Sequence, residues 1–185
     1  MKIIGWDIGG AHIKAVKIDF KKKELKNLHM YSPIWKNINT LEKSIKLIKK
    51  KFGKNNYHAV VMTAELSDIF KNRKLGVKHI INLSSKILGD KNTFFYNKKN
   101  FIKKNIALDK ANSLKSLNWH ATANFIGSFF SNCVLVDIGS TTTDIIPIKN
   151  KNVISKGCND YKRLQSNELL YLGVLRSNLL TFVEI

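Results

Sequence analysis

The sequence predicts an α/β chain built from two related halves, each opening on an antiparallel hairpin of a mixed sheet. Three observations carry that reading. An apolar strand runs into Asp-Ile-Gly twice, at Asp7-Ile8-Gly9 and Asp137-Ile138-Gly139, an offset of 130 residues. In both copies a small-residue turn and a second strand follow, so Ile4–Lys14 aligns with Val134–Asp144. Segments of helical period then separate further strand signals, as they do where a sheet is covered by helices.

Ile3 to Trp6 reads as a buried strand and His12 to Phe20 alternates as a half-buried one, with a third strand at Glu24 to Tyr31 closed by Ser32-Pro33. These form a three-stranded meander. Thr40 is a suitable N-cap for a helix whose apolar residues Leu41, Ile45, Ile48 and Phe52 recur at helical spacing, with Gly53 as its stop. Tyr57 to Met62 is a strand, Val77 to Leu88 a helix ended by Gly89, and Thr93 to Tyr96 a strand. Trp119 to Phe130 reads as a helix in which Gly127 allows close packing. Cys133 to Ile138, Thr142 to Ile148 and Val153 to Lys156 then repeat the opening meander. The expected organisation is a first domain over residues 1–130 and the start of a second, incomplete one over 131–185.

The net charge of +19 raises nucleic acid and anionic membranes as partners, yet only Arg73, Arg163 and Arg176 among 32 basic residues are arginines. Phosphate backbones are usually gripped by arginine's planar fork, so solvated lysine faces are the better account and no nucleic acid is expected. Cys133 and Cys158 are too few for a metal quartet or a disulfide framework, which fits a reducing cytoplasm. No run approaches the roughly 20 apolar residues that span a bilayer, so no membrane partner is expected.

Glycine after each Asp-Ile step lets the chain turn sharply and bring backbone amides up to an anion. Gly9, Gly10 and Gly139, with the hydroxyls of Ser140, Thr141, Thr142 and Thr143, are therefore the candidate phosphate cradle. Asp7 and Asp137 end the two strands and are candidate ligands for Mg²⁺, which binds through carboxylates, water and substrate phosphates. Lys14 could neutralise phosphate charge, and Asp144 could act as a base or a metal anchor. All four are candidate catalytic residues if the halves face one cleft. Candidate substrate contacts are His12 beside Lys14, Glu65 and Asp68 in the loop after the Tyr57 strand, the trio Asn118, Trp119 and His120, and Arg176.

The stretches Trp6–Lys14, Thr63–Asp68, Asn118–Ala121, Asp137–Pro147 and Glu168–Arg176 resemble a hydantoinase/oxoprolinase-like family of the methanofuran and tetrahydromethanopterin-linked one-carbon pathway. The hairpins themselves resemble those of the actin-like ATPase superfold, whose domains are ribonuclease H-like. The resemblance implies a transferase that condenses an aminomethylfuran methyl diphosphate with a tyramine-type phenol and releases pyrophosphate. Its open alternatives are an ATP-dependent cyclic amidohydrolase or small-molecule kinase, and a non-catalytic partner in a one-carbon complex. Mg²⁺ is the implied cofactor, while ATP use and homo-oligomerisation stay open. The resemblance also implies glycine where this chain has Ala64 and Asn167, and a longer second domain, so the chain reads as truncated.

Overall fold

The computed structural model describes residues 1–157 and 159–175. Contacts divide the chain into two compact units, Met1–Asn118 and the residues from Trp119 onward. That division falls ahead of the 130/131 break read from the repeat.

In the first unit, β1 (Lys2–Ile8), β2 (His12–Asp19) and β3 (Glu24–Tyr31) form the antiparallel meander, as their alternation requires. Helix α1 (Asn39–Phe52) crosses over to β4 (Tyr57–Met62), which pairs parallel to β1; helix α2 (Arg73–Leu88) then leads to β5 (Thr93–Tyr96), parallel to β4. A two-residue β6 (Phe101–Ile102) closes the edge, giving the order β3-β2-β1-β4-β5-β6. The antiparallel opening and parallel continuation make this a mixed sheet of α/β type. Helix α3 (Lys104–Asp109) follows it.

One face of this sheet carries the core. Ile4, Trp6 and Ile8 of β1, Ile13 and Ala15 of β2 and Val60 and Met62 of β4 pack under Leu41, Ile45, Ile48 and Phe52 of α1 and Val77, Ile80 and Ile81 of α2. Thr40 lies inside α1 rather than capping it. Asn37 performs the turn instead, its side-chain oxygen accepting from the Asn39 amide at 2.8 Å and its carbonyl from the Thr40 amide at 3.0 Å. Asn72 caps α2 by accepting from the Leu75 amide at 2.9 Å. Within the core, Trp6 Nε1 donates to His58 Nδ1 at 3.1 Å, and burial, aided by the charge of Lys49, lowers the His58 pKa to about 4.

The second unit begins with helix α4 (Asn118–Phe129) and continues with β7 (Asn132–Ile138) and β8 (Thr143–Lys149), paired antiparallel. Strands β9 (Asn152–Val153) and β10 (Leu169–Leu170) both pair with β8, and the short helix α5 (Asp160–Gln165) lies between them in sequence. Trp119 and Ala123 of α4 pack on Ile146 and Ile148 of β8. Gly127 permits this close approach, since a Cβ there would sit 2.7 Å from the Lys151 carbonyl oxygen.

The repeat holds for the β7–β8 hairpin, but its third strand shrinks from the expected Val153 to Lys156 to the two residues of β9, and its packing is incomplete. Ile4, Trp6 and Ile8 are 0%, 2% and 0% exposed, whereas their counterparts Val134, Val136 and Ile138 are 59%, 52% and 59% exposed. In the first unit α1, α2 and β4 cover those positions, and among the described residues the second unit has no such elements on β7.

Two outcomes follow. Ile8→Ala should cost about 2–5 kcal/mol in urea unfolding and the equivalent Ile138→Ala under about 0.5 kcal/mol, because only the first empties a packed space. Between pH 6.5 and 4 the unfolded chain protonates at His58 while the folded chain resists, so stability present above pH 6.5 should fall across that window. The slope of unfolding free energy against pH should be smaller in His58→Gln.

Candidate functional site

Both glycine turns close in the same way. The Gly9 amide donates to the His12 carbonyl at 3.0 Å, and the Gly139 amide to the Thr142 carbonyl at 2.8 Å. A Cβ at Gly9 would lie 2.7 Å from that carbonyl oxygen, so only glycine fits the first turn without a shift. The two closing amides are thereby used inside their hairpins. The amides of Gly10 and Ala11 make no backbone hydrogen bond among the described residues and are the donors the first turn can offer an anion.

The aspartate at each strand end is held by register. Asp7 faces Lys14 across β1 and β2, and their charged atoms come to 3.9 Å, with the lysine side chain 64% exposed. At the equivalent register Asp137 faces Asp144, so the second half sets a carboxylate where the first has a cation. Arg163 of α5 answers that carboxylate, donating from Nη1 to Asp144 Oδ1 at 2.7 Å. Burial pushes the Asp144 carboxyl above its usual range, Arg163 opposes this, and Asp137 adds to it. Asp137 itself is exposed.

Arg163 is the residue that sequence reasoning passed over. It is 1% exposed, its guanidinium lies 3.8 Å from the Trp119 ring centroid, and Nη2 donates to the Glu168 carbonyl at 2.8 Å. Glu168 is the second hub, accepting from Ser155 Oγ at 2.7 Å and from the Lys156 and Gly157 amides at 2.6 and 2.8 Å. Burial works against its charge, but those donors prevail and hold the Glu168 carboxyl below its usual range. The signal for Arg163 was arginine's rarity, three among 32 basic residues, and its flat fork is used on Asp144 and the Glu168 carbonyl. Asn167, where the resemblance implies glycine, has φ 55°, a left-handed conformation that asparagine tolerates.

The second turn is tied to the segment after β10. Thr143 Oγ1 donates to the Leu172 carbonyl at 2.6 Å, and the Val174 and Leu175 amides donate to the carbonyls of Gly139 and Ser140, each at 3.0 Å. Gly173 makes this possible, because a Cβ there would be 2.5 Å from the Thr141 nitrogen. The Thr143 hydroxyl is thus engaged, while Ser140 and Thr141 stay exposed, their hydroxyls 3.5 Å apart, and Thr142 is half-buried.

The remaining candidates divide. Glu65 is 1% exposed in a turn at Ala64–Leu66; Ser116 Oγ donates to its Oε1 at 2.8 Å, and Arg73 Nη2 stands 3.8 Å from the same oxygen. Burial raises the Glu65 carboxyl against the Ser116 bond and the Arg73 charge. Asp68 of the same loop is exposed, so the two carboxylates serve different surroundings. His12 is exposed beside His29 and Tyr31, with ring centroids 4.7 and 5.3 Å away. Asn118, Trp119 and His120 form the first turn of α4, with Trp119 buried and the His120 ring edge-on to it at 5.3 Å. Arg176 and Cys158 lie outside the described residues.

Among the described residues no three His, Cys, Asp or Glu side chains converge as a metal cluster. Asp7 and Asp137 each supply an accessible hard oxygen at a strand end, a donor type that suits Mg²⁺ completed by water and phosphate oxygens. No helix among the described residues is long and apolar enough to cross a membrane.

The hydantoinase/oxoprolinase family model matches residues 56–181, more than half the chain. The chain belongs to the hydantoinase/oxoprolinase family. It is 40% identical over 176 residues to the (4-{4-[2-(gamma-L-glutamylamino)ethyl]phenoxymethyl}furan-2-yl)methanamine synthase of Methanocaldococcus jannaschii, covering 95% of this chain and 52% of that one. It is 58% identical over 48 residues to the protein of the same name from Methanococcus vannielii, covering 26% of this chain and 21% of that one. The chain therefore spans about half the length of the Methanocaldococcus relative it matches. Similar solved structures include the Aquifex aeolicus Ppx/GppA phosphatase, at TM-score 0.43 and 11% identity over 83% of this chain and 50% of that one. A putative sugar kinase from Cytophaga hutchinsonii gives TM-score 0.43 and 13% identity over 85% and 50%.

Arg163→Met should destabilise the second unit by about 3–5 kcal/mol, since it strands the Asp144 carboxylate beside Asp137. Urea unfolding followed by Trp119 fluorescence checks this, with Arg163→Lys expected to fall between the variant and the parent.

Proposed function

We propose that this chain serves a transferase reaction of methanofuran-type cofactor synthesis, joining a phenol oxygen to a furan methylene with loss of pyrophosphate. The observation that carries the reading is the 40% identity, over 95% of the chain, to a synthase whose named product is a phenoxymethyl furan. The glycine turns support it with groups suited to a diphosphate: the Gly10 and Ala11 amides and the Lys14 ammonium in the first half, and the Ser140 and Thr141 hydroxyls in the second.

The chemistry is a displacement at carbon. The phenol oxygen bonds to the methylene, the methylene–oxygen bond to the diphosphate breaks with its electron pair going to pyrophosphate, and the phenolic proton leaves on that pyrophosphate. Negative charge grows on the leaving group, and donors fixed in place before reaction stabilise it most. Asp7 in the first unit and Asp137 in the second are each a carboxylate suited to Mg²⁺, which when bound would supply positive charge to diphosphate oxygens. Lys14 supplies a further cation, and the Asp144–Arg163 pair holds β8 and α5 together beside Asp137.

Pyrophosphate release from a furylmethyl diphosphate and a tyramine-type phenol, without ATP, is the expected activity. Asp137→Ala should lower it by at least about a hundredfold. ATP turnover stimulated by a cyclic lactam or an alcohol, with no such release, would replace this reading by an amidohydrolase or kinase.

A further inference from the structure

The first unit's outer sheet face carries the exposed rings of His12, His29 and Tyr31, and Trp35 of the turn after β3 meets Tyr31. Register sets His12 opposite Tyr31, and Lys14 opposite His29, on the face that also bears Asp7. The His12 ring centroid lies 4.7 Å from that of His29 and 5.3 Å from that of Tyr31, and the Tyr31 and Trp35 rings meet edge-on at 6.5 Å. Tyr31 and Trp35 are 58% and 48% exposed, although Trp6 and Phe95 of the same unit are fully enclosed.

These rings are anchored to the anion-binding turn itself. Ser32 and Ile34, both 0% exposed, flank and separate the two large aromatics. Their amides donate to the carbonyls of Ala11 at 2.8 Å and Gly10 at 3.1 Å, so the Tyr31–Trp35 segment is laced to the loop whose own amides make no backbone hydrogen bond among the described residues. The Lys36 amide bonds back to the Pro33 carbonyl at 3.1 Å, which turns the chain immediately after Trp35. Rings held this way lose little freedom when a flat ligand stacks on them. A hollow of about 270 Å³ lined by Asp7, Lys14, Val16 and Ala59 lies on the same unit, and none of the four rings lines it.

We propose that His12, His29, Tyr31 and Trp35 form a platform for the ring of a ligand whose diphosphate is one methylene away. An aryl- or furylmethyl diphosphate has that form: its charged end suits the Gly10–Ala11 amides and Lys14, and its ring suits the π faces beside them. The platform also has a chemical use. As the methylene–oxygen bond breaks, positive charge spreads from the methylene into the ring, and aromatic faces attract cations. The inference rests on the diphosphate reading of the same turn and assigns the residues that recognise the substrate's ring.

Calorimetric titration of the full chain, with Mg²⁺, using furfuryl diphosphate and inorganic pyrophosphate tests it. The parent chain should bind furfuryl diphosphate about tenfold more tightly than pyrophosphate. Tyr31→Ala and Trp35→Ala should each remove most of that preference and leave pyrophosphate affinity unchanged. Both side chains are half exposed, so the variants should keep the parent's circular dichroism spectrum and unfolding midpoint. A preference that survives in the double variant, or no preference in the parent, overturns the platform alone. If neither compound binds the parent, the diphosphate reading fails and the platform with it.

Discussion

One backbone contact recurs and organises the rest: a glycine amide donating back to the carbonyl three residues on. It closes the turn at Gly9 and again at Gly139, and it fixes the register of each hairpin. Register in turn decides which side chains oppose each other, because a slip of one residue would send every side chain to the other face. The Asp7–Lys14 pair, the Asp137–Asp144 pair and the His12–Tyr31 pair all follow from it. A Cβ at Gly9 would press on the His12 carbonyl at 2.7 Å, and one at Gly139 would meet the Thr142 carbonyl at 3.2 Å.

The turns were the most legible part of the sequence, because their signal is local. Asp-Ile-Gly after an apolar strand, repeated at a fixed offset, encodes a turn whose partners are a few residues away. The strands at Glu24–Tyr31, Tyr57–Met62 and Thr93–Tyr96 and the apolar stripe of α1 were legible for a similar reason, since periodicity alone defines them. Helix α5 and strand β10 were not. They are short, and their place depends on what Arg163 and Glu168 reach across the chain.

The same distinction applies within the site. Glu65 and Asp68 look alike in sequence, two acids in one loop, yet Ser116 and Arg73 draw only Glu65 inward. Trp119 read as a substrate contact, and one of its faces already receives the Arg163 guanidinium. Buried polar partners come from distant positions, and no spacing rule reaches them. Thr40 failed as a cap for the opposite reason, because a nearby competitor, Asn37, offered a better acceptor three residues earlier.

The register positions occupied by Lys14 and Asp144 give the duplicated turns different characters. In the first, an ammonium stands 3.9 Å from the aspartate. The second sets two acids against one buried guanidinium, so its carboxylates share a single counter-charge. Two turns with one closure thus differ in charge, and beside that register pair the second carries Ser140, Thr141 and Thr142 where the first has Gly10, Ala11 and His12.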